Sequence, residues 1–254
     1  KTAAEGSYGV LADKAAGKVN VTNVTVDVEE VKGSEVAGFI RLTNVKGSEV
    51  AFTDCKNLAP INGTGKAAGF VAYSGDSKLT FKNCQNLANV LGGNDTAGFV
   101  ADYEGGANAL TITNCVNGVA GKTTVKGVNG NGGFVGEASG KITVTDSTNY
   151  SLIFNNGTSD WDSTAGGIVG MFANRGSDNT VTIKGVVNYG DIKTRDQWYQ
   201  GAGGIVGSAK WKADTKCYFE DTINYGSCVK TGTGPNLGGF IGYTDNGDPV
   251  EFIF

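Results

Sequence analysis

The sequence predicts an all-β fold, a right-handed parallel β-helix of three sheets and about eight rungs. Three observations point there. A glycine-led apolar motif returns eight times, a second motif follows it in register, and 41 glycines against three prolines suit recurrent tight turns. Glycine at more than twice its usual ~7% share, with no Gly-X-Y period, fits either disorder or repeated turns. With 39% apolar residues falling in short regular runs, the chain has enough to bury, and disorder is excluded.

The anchor motif comes first. It reads Tyr8-Gly9-Val10-Leu11, Ala37-Gly38-Phe39-Ile40, Ala68-Gly69-Phe70-Val71 and Ala97-Gly98-Phe99-Val100, then Gly132 to Val135, Gly166 to Val169, Gly203 to Val206 and Gly238 to Ile241. Its second residue recurs every 29 to 31 positions in the first half and every 34 to 37 in the second. Self-similarity at such a period marks a repeat architecture, because a unit this small buries its apolar face only against its neighbours. Two adjacent apolar residues cannot both point inward on one regular strand, so the anchor is expected at a corner or under a covering loop, the alternative being an exposed apolar stripe that docks a protein.

About a dozen residues later comes an alternating strand with a polar end: Val50 to Asn57, Leu79 to Asn86, Leu110 to Asn117, Ile142 to Asn149, Val181 to Asn188 and Cys217 to Asn224. Period-two alternation with β-branched enrichment says strand, and no segment carries a helical period. A first copy, Val19 to Val26, has Val26 where the others have Asn. A third short apolar stretch completes each unit, as at Leu87 to Leu91 or Tyr189 to Ile192. Asn-Gly pairs at 62–63, 129–130, 131–132, 156–157 and 246–247 are expected to mark turns and loops. Three strands per unit favour the β-helix over the alternative, a β-propeller, whose blades hold four strands in about 40 to 45 residues.

Stacked repeats turn positions into columns. Asn57, Asn86, Asn117, Asn149, Asn188 and Asn224 share one, read as a structural ladder of side-chain amides at a turn, since Asn tolerates left-handed backbone and its amide both donates and accepts. Cys55, Cys84 and Cys115 share another with Val24, Ser147, Val186 and Thr222; Cys217 and Cys228 likewise replace apolar residues. All five cysteines are therefore expected as reduced, buried small hydrophobes.

With no His, every His-dependent catalytic set and metal site is excluded. No catalytic residue, cofactor or metal is expected. The net charge of −4, with basic and acidic residues interspersed, argues against nucleic acid. No run approaches the ~20 apolar residues of a membrane-spanning helix. The closest candidate site is a pair of loop positions. Trp161 and Trp198 each lie six residues before an anchor glycine, with Tyr199 beside the second and Asp160, Asp162 and Asp196 close in sequence. Indoles flanked by carboxylates suit a sugar ring, which offers apolar faces and a rim of hydroxyls; the competing reading packs these loops on one another.

Gly166 to Gly170 with Val187-Asn188-Tyr189-Gly190-Asp191-Ile192, and Gly203 to Gly207 with Ile223-Asn224-Tyr225-Gly226, resemble GLUG-motif repeats. Such repeats occur in large surface and secreted proteins of bacteria and some protists, including regions attached to immunoglobulin A peptidases. The likeness is looser in the first half, where Ala replaces the leading Gly and the Asn-Tyr-Gly trio is missing. It implies a non-catalytic extracellular or cell-surface module, adhesin-like or structural. Its expected partners are a host or neighbouring surface protein, or a glycan held by the loops at 158–163 and 195–200. The alternatives are a stalk or accessory region of a secreted peptidase and a polysaccharide-degrading β-helix enzyme. The chain is read as one solenoid domain, 1–254, and its stop inside an alternating strand (Val250 to Phe254) as a sign that the protein continues. Self-assembly through the solenoid ends is a further expectation.

Overall fold

The computed structural model describes residues 6–157, 163–173, 180–195, 201–209, 216–230, 236–244 and 251–253. The chain is an all-β parallel solenoid. All eight anchor strands stack in sequence order in one sheet, and every strand pairs in parallel with its counterparts in the repeats before and after. Such pairing excludes the propeller. Seven turns are complete, and an eighth begins with Asn236–Gly238, Ile241–Thr244 and Glu251–Ile253.

The cross-section differs from expectation. Five of the seven complete rungs hold five strands and the fourth and fifth hold four, because Val100–Thr113 and Val135–Thr145 each run through what are two strands elsewhere; the strands form four sheets, not three. The third rung shows the plan: Ala67–Ala68, Val71–Gly75, Lys78–Lys82, Gln85–Asn86 and Val90–Leu91. Two bends cause the extra divisions. The anchor splits at its Gly-Phe step, which is the expected corner. There Phe70 and Val71 are both fully buried, as are Phe99 with Val100 and Phe134 with Val135. The second bend follows the alternating strand, where Asn23, Asp54, Asn83, Asn114, Asp146, Gly185 and Asp221 all have φ between 47° and 63°. Asn, Asp and Gly are the residues that accept this conformation most readily. The left-handed column is thus three positions ahead of the ladder asparagines, which sit in short strands of their own.

Two details of register also differ. Tyr8 pairs with Val36 and Gly9 with Ala37, so the first anchor is offset by one residue and Val10 falls where later rungs have glycine. Asn62-Gly63 and Asn131-Gly132 lie inside strands and not at turns. At both places the Asn side chain or the missing Cβ serves contacts between neighbouring rungs, which sequence pairs alone do not distinguish from turn chemistry.

The core is a row of phenylalanines. Phe39, Phe70 and Phe99 stack with centroids 4.7 Å apart; Phe52 and Phe81 stack at 4.9 Å and meet the first column edge to face at 5.5–5.7 Å. Both geometries are favoured ones for aromatic rings, adding ~0.5–1.5 kcal/mol per pair beyond burial.

Cys55, Cys84, Cys115 and Cys217 are buried, Cys228 is half-buried, and none is in a disulfide. Burial pushes the Cys217 thiol up to about 12 and raises Cys55 and Cys228. A hydrogen bond with Cys84, then burial, pushes Cys115 up, while the same bond holds Cys84 below the ordinary thiol value. Thiolates are the reactive form, so the raised values slow Cys55, Cys115, Cys217 and Cys228, while burial shields Cys84. In native buffer at pH 8 a polar disulfide reagent is expected to modify Cys228 first and to leave the other four untouched for minutes; denaturant releases all five. Rapid reaction of three or more would contradict the fold.

Candidate functional site

The loop residues proposed from sequence, Asp160, Trp161, Asp162, Asp196, Trp198 and Tyr199, lie outside the described residues. The described chain shows what surrounds the rest of the chemistry.

The six asparagines of the column bond to one another from rung to rung. Each Nδ2 donates to the Oδ1 one rung on: Asn57 to Asn86 at 2.8 Å, Asn86 to Asn117 at 2.9 Å, Asn117 to Asn149 at 2.8 Å, Asn149 to Asn188 at 2.7 Å and Asn188 to Asn224 at 2.8 Å. The second amide hydrogen of most members goes to the carbonyl two residues ahead, as from Asn57 to Ala59 and Asn188 to Gly190. All six point one way. The Oδ1 of Asn57 accepts no hydrogen bond, because the first rung supplies Val26 in place of a donor. With their donors committed and the first five members closed off from solvent, these amides are not a ligand site.

The carboxylates of the outer surface divide in the same way. Asp102 and Glu137 are in register on adjacent rungs, yet only 2% and 5% exposed. Lys66 Nζ lies 3.0 Å from Asp102 and 5.1 Å from the centroid of Tyr73, whose hydroxyl donates to Glu104 at 2.9 Å. Burial works against the Lys66 charge, but Asp102, helped by Asp95 and Glu35, outweighs it and holds the ammonium above its ordinary value. A desolvated pair of this kind fixes geometry between rungs and offers nothing to a substrate. No group of three or more Cys, Asp or Glu among the described residues is placed to hold a metal.

A different feature faces solvent. The residue after each ladder asparagine also forms a column, and in the later rungs it is tyrosine. Tyr150, Tyr189 and Tyr225 stack with centroids 5.2 and 5.1 Å apart and planes within 13° of parallel. Tyr189 and Tyr225 are 49% and 63% exposed. Their backbone N–H groups are held by the asparagine carbonyls of the preceding rung, so the ladder strand positions the rings. One rung earlier the column has Gly118, and the loop of Val119 to Thr123 closes there through Thr123 Oγ1 and Ser151 Oγ at 2.9 Å. Between this loop, the tyrosine edges and the neighbouring sheet lies an open groove of about 330 Å³, with Lys122, Thr124, Leu152, Asp191 and Lys193 in its lining.

The sheet beside the groove alternates in kind. Lys126, Phe154 and Lys193 occupy one outward column on successive rungs, and Lys126 Nζ sits 5.4 Å from the centre of the Phe154 ring. Asp191 Oδ1 accepts the Ser227 backbone N–H at 3.0 Å. Sequence reading passed over this strip because Tyr150, Tyr189 and Tyr225 look like part of a repeat motif, and Lys122 has no counterpart in it.

Among the described residues, no helix is long and apolar enough to cross a membrane. No protein-family model matches the chain, and neither does any curated protein. A solved structure of a candidate immunoglobulin A1 protease from Bacteroides ovatus is similar at a TM-score of 0.43 and 14% identity, over 89% of this chain and 66% of that one.

Proposed function

We propose that this solenoid is a non-catalytic module displayed outside the cell or on its surface, adhesin-like or serving as a scaffold. One observation carries the reading: the repeated polar chemistry is consumed by stacking. Ladder amides bond to ladder amides, and the described strands of each rung pair with those of the next through seven turns. Residues free to recognise a partner are those that vary between rungs, on loops and outer columns. Repeat architectures use such surfaces for extended contacts. The likeness of the sixth and seventh rungs to GLUG repeats supports surface display. The loops with Trp161 and Trp198 supply aromatic and acidic groups of the kind that hold sugar rings.

The test uses the whole native protein. Antibody against the module is expected to stain intact cells, and purified protein to be retained on a glycan array through Trp161 and Trp198. Alanine at both tryptophans should cut retention about tenfold, as loss of an aromatic anchor does at a recognition site. Reducing sugar released from a polysaccharide, or a protein found only inside the cell, would overturn the reading.

A further inference from the structure

We infer that the groove beside the tyrosine stack is a second binding site, made for a saccharide that carries carboxylates. The inference rests on the module's proposed role in recognition but on none of the tryptophan loops.

Shape comes first. The groove, at about 330 Å³, is near the lower end of the volume range of small-ligand sites, room for one or two sugar rings, and it is open to solvent. A pyranose is apolar over its C–H faces and polar around its rim. The groove presents both kinds of surface: Leu152 and the edges of Tyr150 and Tyr189 on one hand, the lysines and Thr124 on the other. Because the tyrosine faces cover one another, they offer ring edges and phenol oxygens to a ligand beside them. Beside the groove stands Phe154, in register between Lys126 and Lys193 on the rungs either side, with the Lys126 ammonium 5.4 Å from its ring centre.

Charge then selects among sugars. The chain carries a net −4, yet Lys122 and Lys193 line the groove with a single carboxylate, Asp191, and Lys126 stands beside it, two rungs before Lys193 in the same column. None of the three lysines is ion-paired among the described residues, and Asp191 is engaged by the Ser227 N–H. Unpaired ammonium groups beside an aromatic ring complement a sugar bearing a carboxylate better than a neutral one. Repetition favours a chain of such rings. Rungs are spaced at ~4.8 Å, so an extended polymer along the axis meets Lys126, Phe154 and Lys193 on three successive rungs.

The experiment measures retention of the intact protein by polygalacturonate, with sialyllactose as a terminal acidic sugar, amylose as a neutral polymer and polyglutamate as a non-sugar polyanion. Polygalacturonate, sialyllactose or both should bind, amylose and polyglutamate should not, and salt should weaken binding as it shortens the screening length below ~8 Å. Lys126→Gln with Lys193→Gln is expected to reduce binding about tenfold, and Phe154→Leu to reduce it with every charge kept. Lys46→Gln, at an exposed lysine of the second rung, should leave it unchanged, and the lysine and Phe154 variants should keep whatever retention by neutral glycans the tryptophan loops supply, which separates this site from the loops. Equal binding of amylose, equal binding of polyglutamate, indifference to the lysine or Phe154 changes, or no binding of either acidic sugar would each overturn the inference. Circular dichroism of the variants confirms that all retain the fold.

Discussion

Alanine at Gly98 is expected to destabilise the solenoid by about 2–3 kcal/mol or more, while alanine at Gly239 is expected to be neutral or slightly stabilising. Both are anchor glycines in the same column, with no left-handed φ at either. A Cβ on Gly98 would lie 2.0 Å from Asn117 Oδ1 and 2.4 Å from the carbonyl oxygen of Gly133. Neither neighbour can retreat. Asn117 is held in the ladder, and the Gly133 carbonyl accepts the Gly98 N–H at 3.1 Å. Overpacking a rigid interior costs ~1–3 kcal/mol and more where backbone must shift. Gly239 meets nothing within 4 Å, because no ladder asparagine lies beside the last anchor in the described chain. There the substitution acts mainly on the unfolded chain, where losing glycine's freedom is worth ~0.4–1 kcal/mol in favour of folding. Urea midpoints followed by circular dichroism give both values. Equal effects at the two positions would show that the glycines are selected for backbone freedom and not for the ladder.

Asn117→Ala is expected to cost about 2–4 kcal/mol, and Asn57→Ala about half of that, in the same measurement. Asn117 accepts from Asn86 and donates to Asn149, so its removal breaks two buried bonds and leaves a small void; each stranded polar group costs ~1–3 kcal/mol. Asn57 has only one ladder bond, since its Oδ1 accepts none. Asn117→Asp sharpens the point. A buried carboxylate without its donor favours its neutral form, so its folded pKa rises above the ordinary ~3.9. A folded pKa raised in an acid means that the penalty is absent below about pH 4 and grows as pH climbs from there toward the folded value. The variant should therefore be close to wild type in acid and weakest near neutrality, opposite to most carboxylate effects. Stability independent of pH in Asn117→Asp would contradict a closed ladder.

These two columns were visible in sequence separately, and the structure joins them. Gly38, Gly69, Gly98, Gly133, Gly167 and Gly204 each face the asparagine of their own rung, and a Cβ on any of them would come within 3 Å of its side chain. The first rung departs at both positions at once, with Val10 at the anchor step and Val26 at the ladder. A repeat aligned by eye hides this, because the one-residue offset of the first anchor shows only in strand pairing.

From the sequence by itself follow the period, the parallel stacking and the identity of the glycine, asparagine and cysteine columns. A column is one-dimensional: a residue that recurs at a fixed interval must meet its own copies, whatever path the chain takes between them. Only the tertiary structure decided the cross-section, because the residues at the two bends recur with the period without saying by themselves how the chain turns there. One bend needs a glycine packed on an amide about twenty residues away, and the other a left-handed Asn, Asp or Gly that looks like any polar strand end. The same holds for the surface. That Asp102 is closed off beside Lys66, while Tyr189 stands exposed at a groove lined by Lys122 and Lys193, depends on contacts between columns. Such contacts are set by how wide each rung is and where it turns, which no single repeat records.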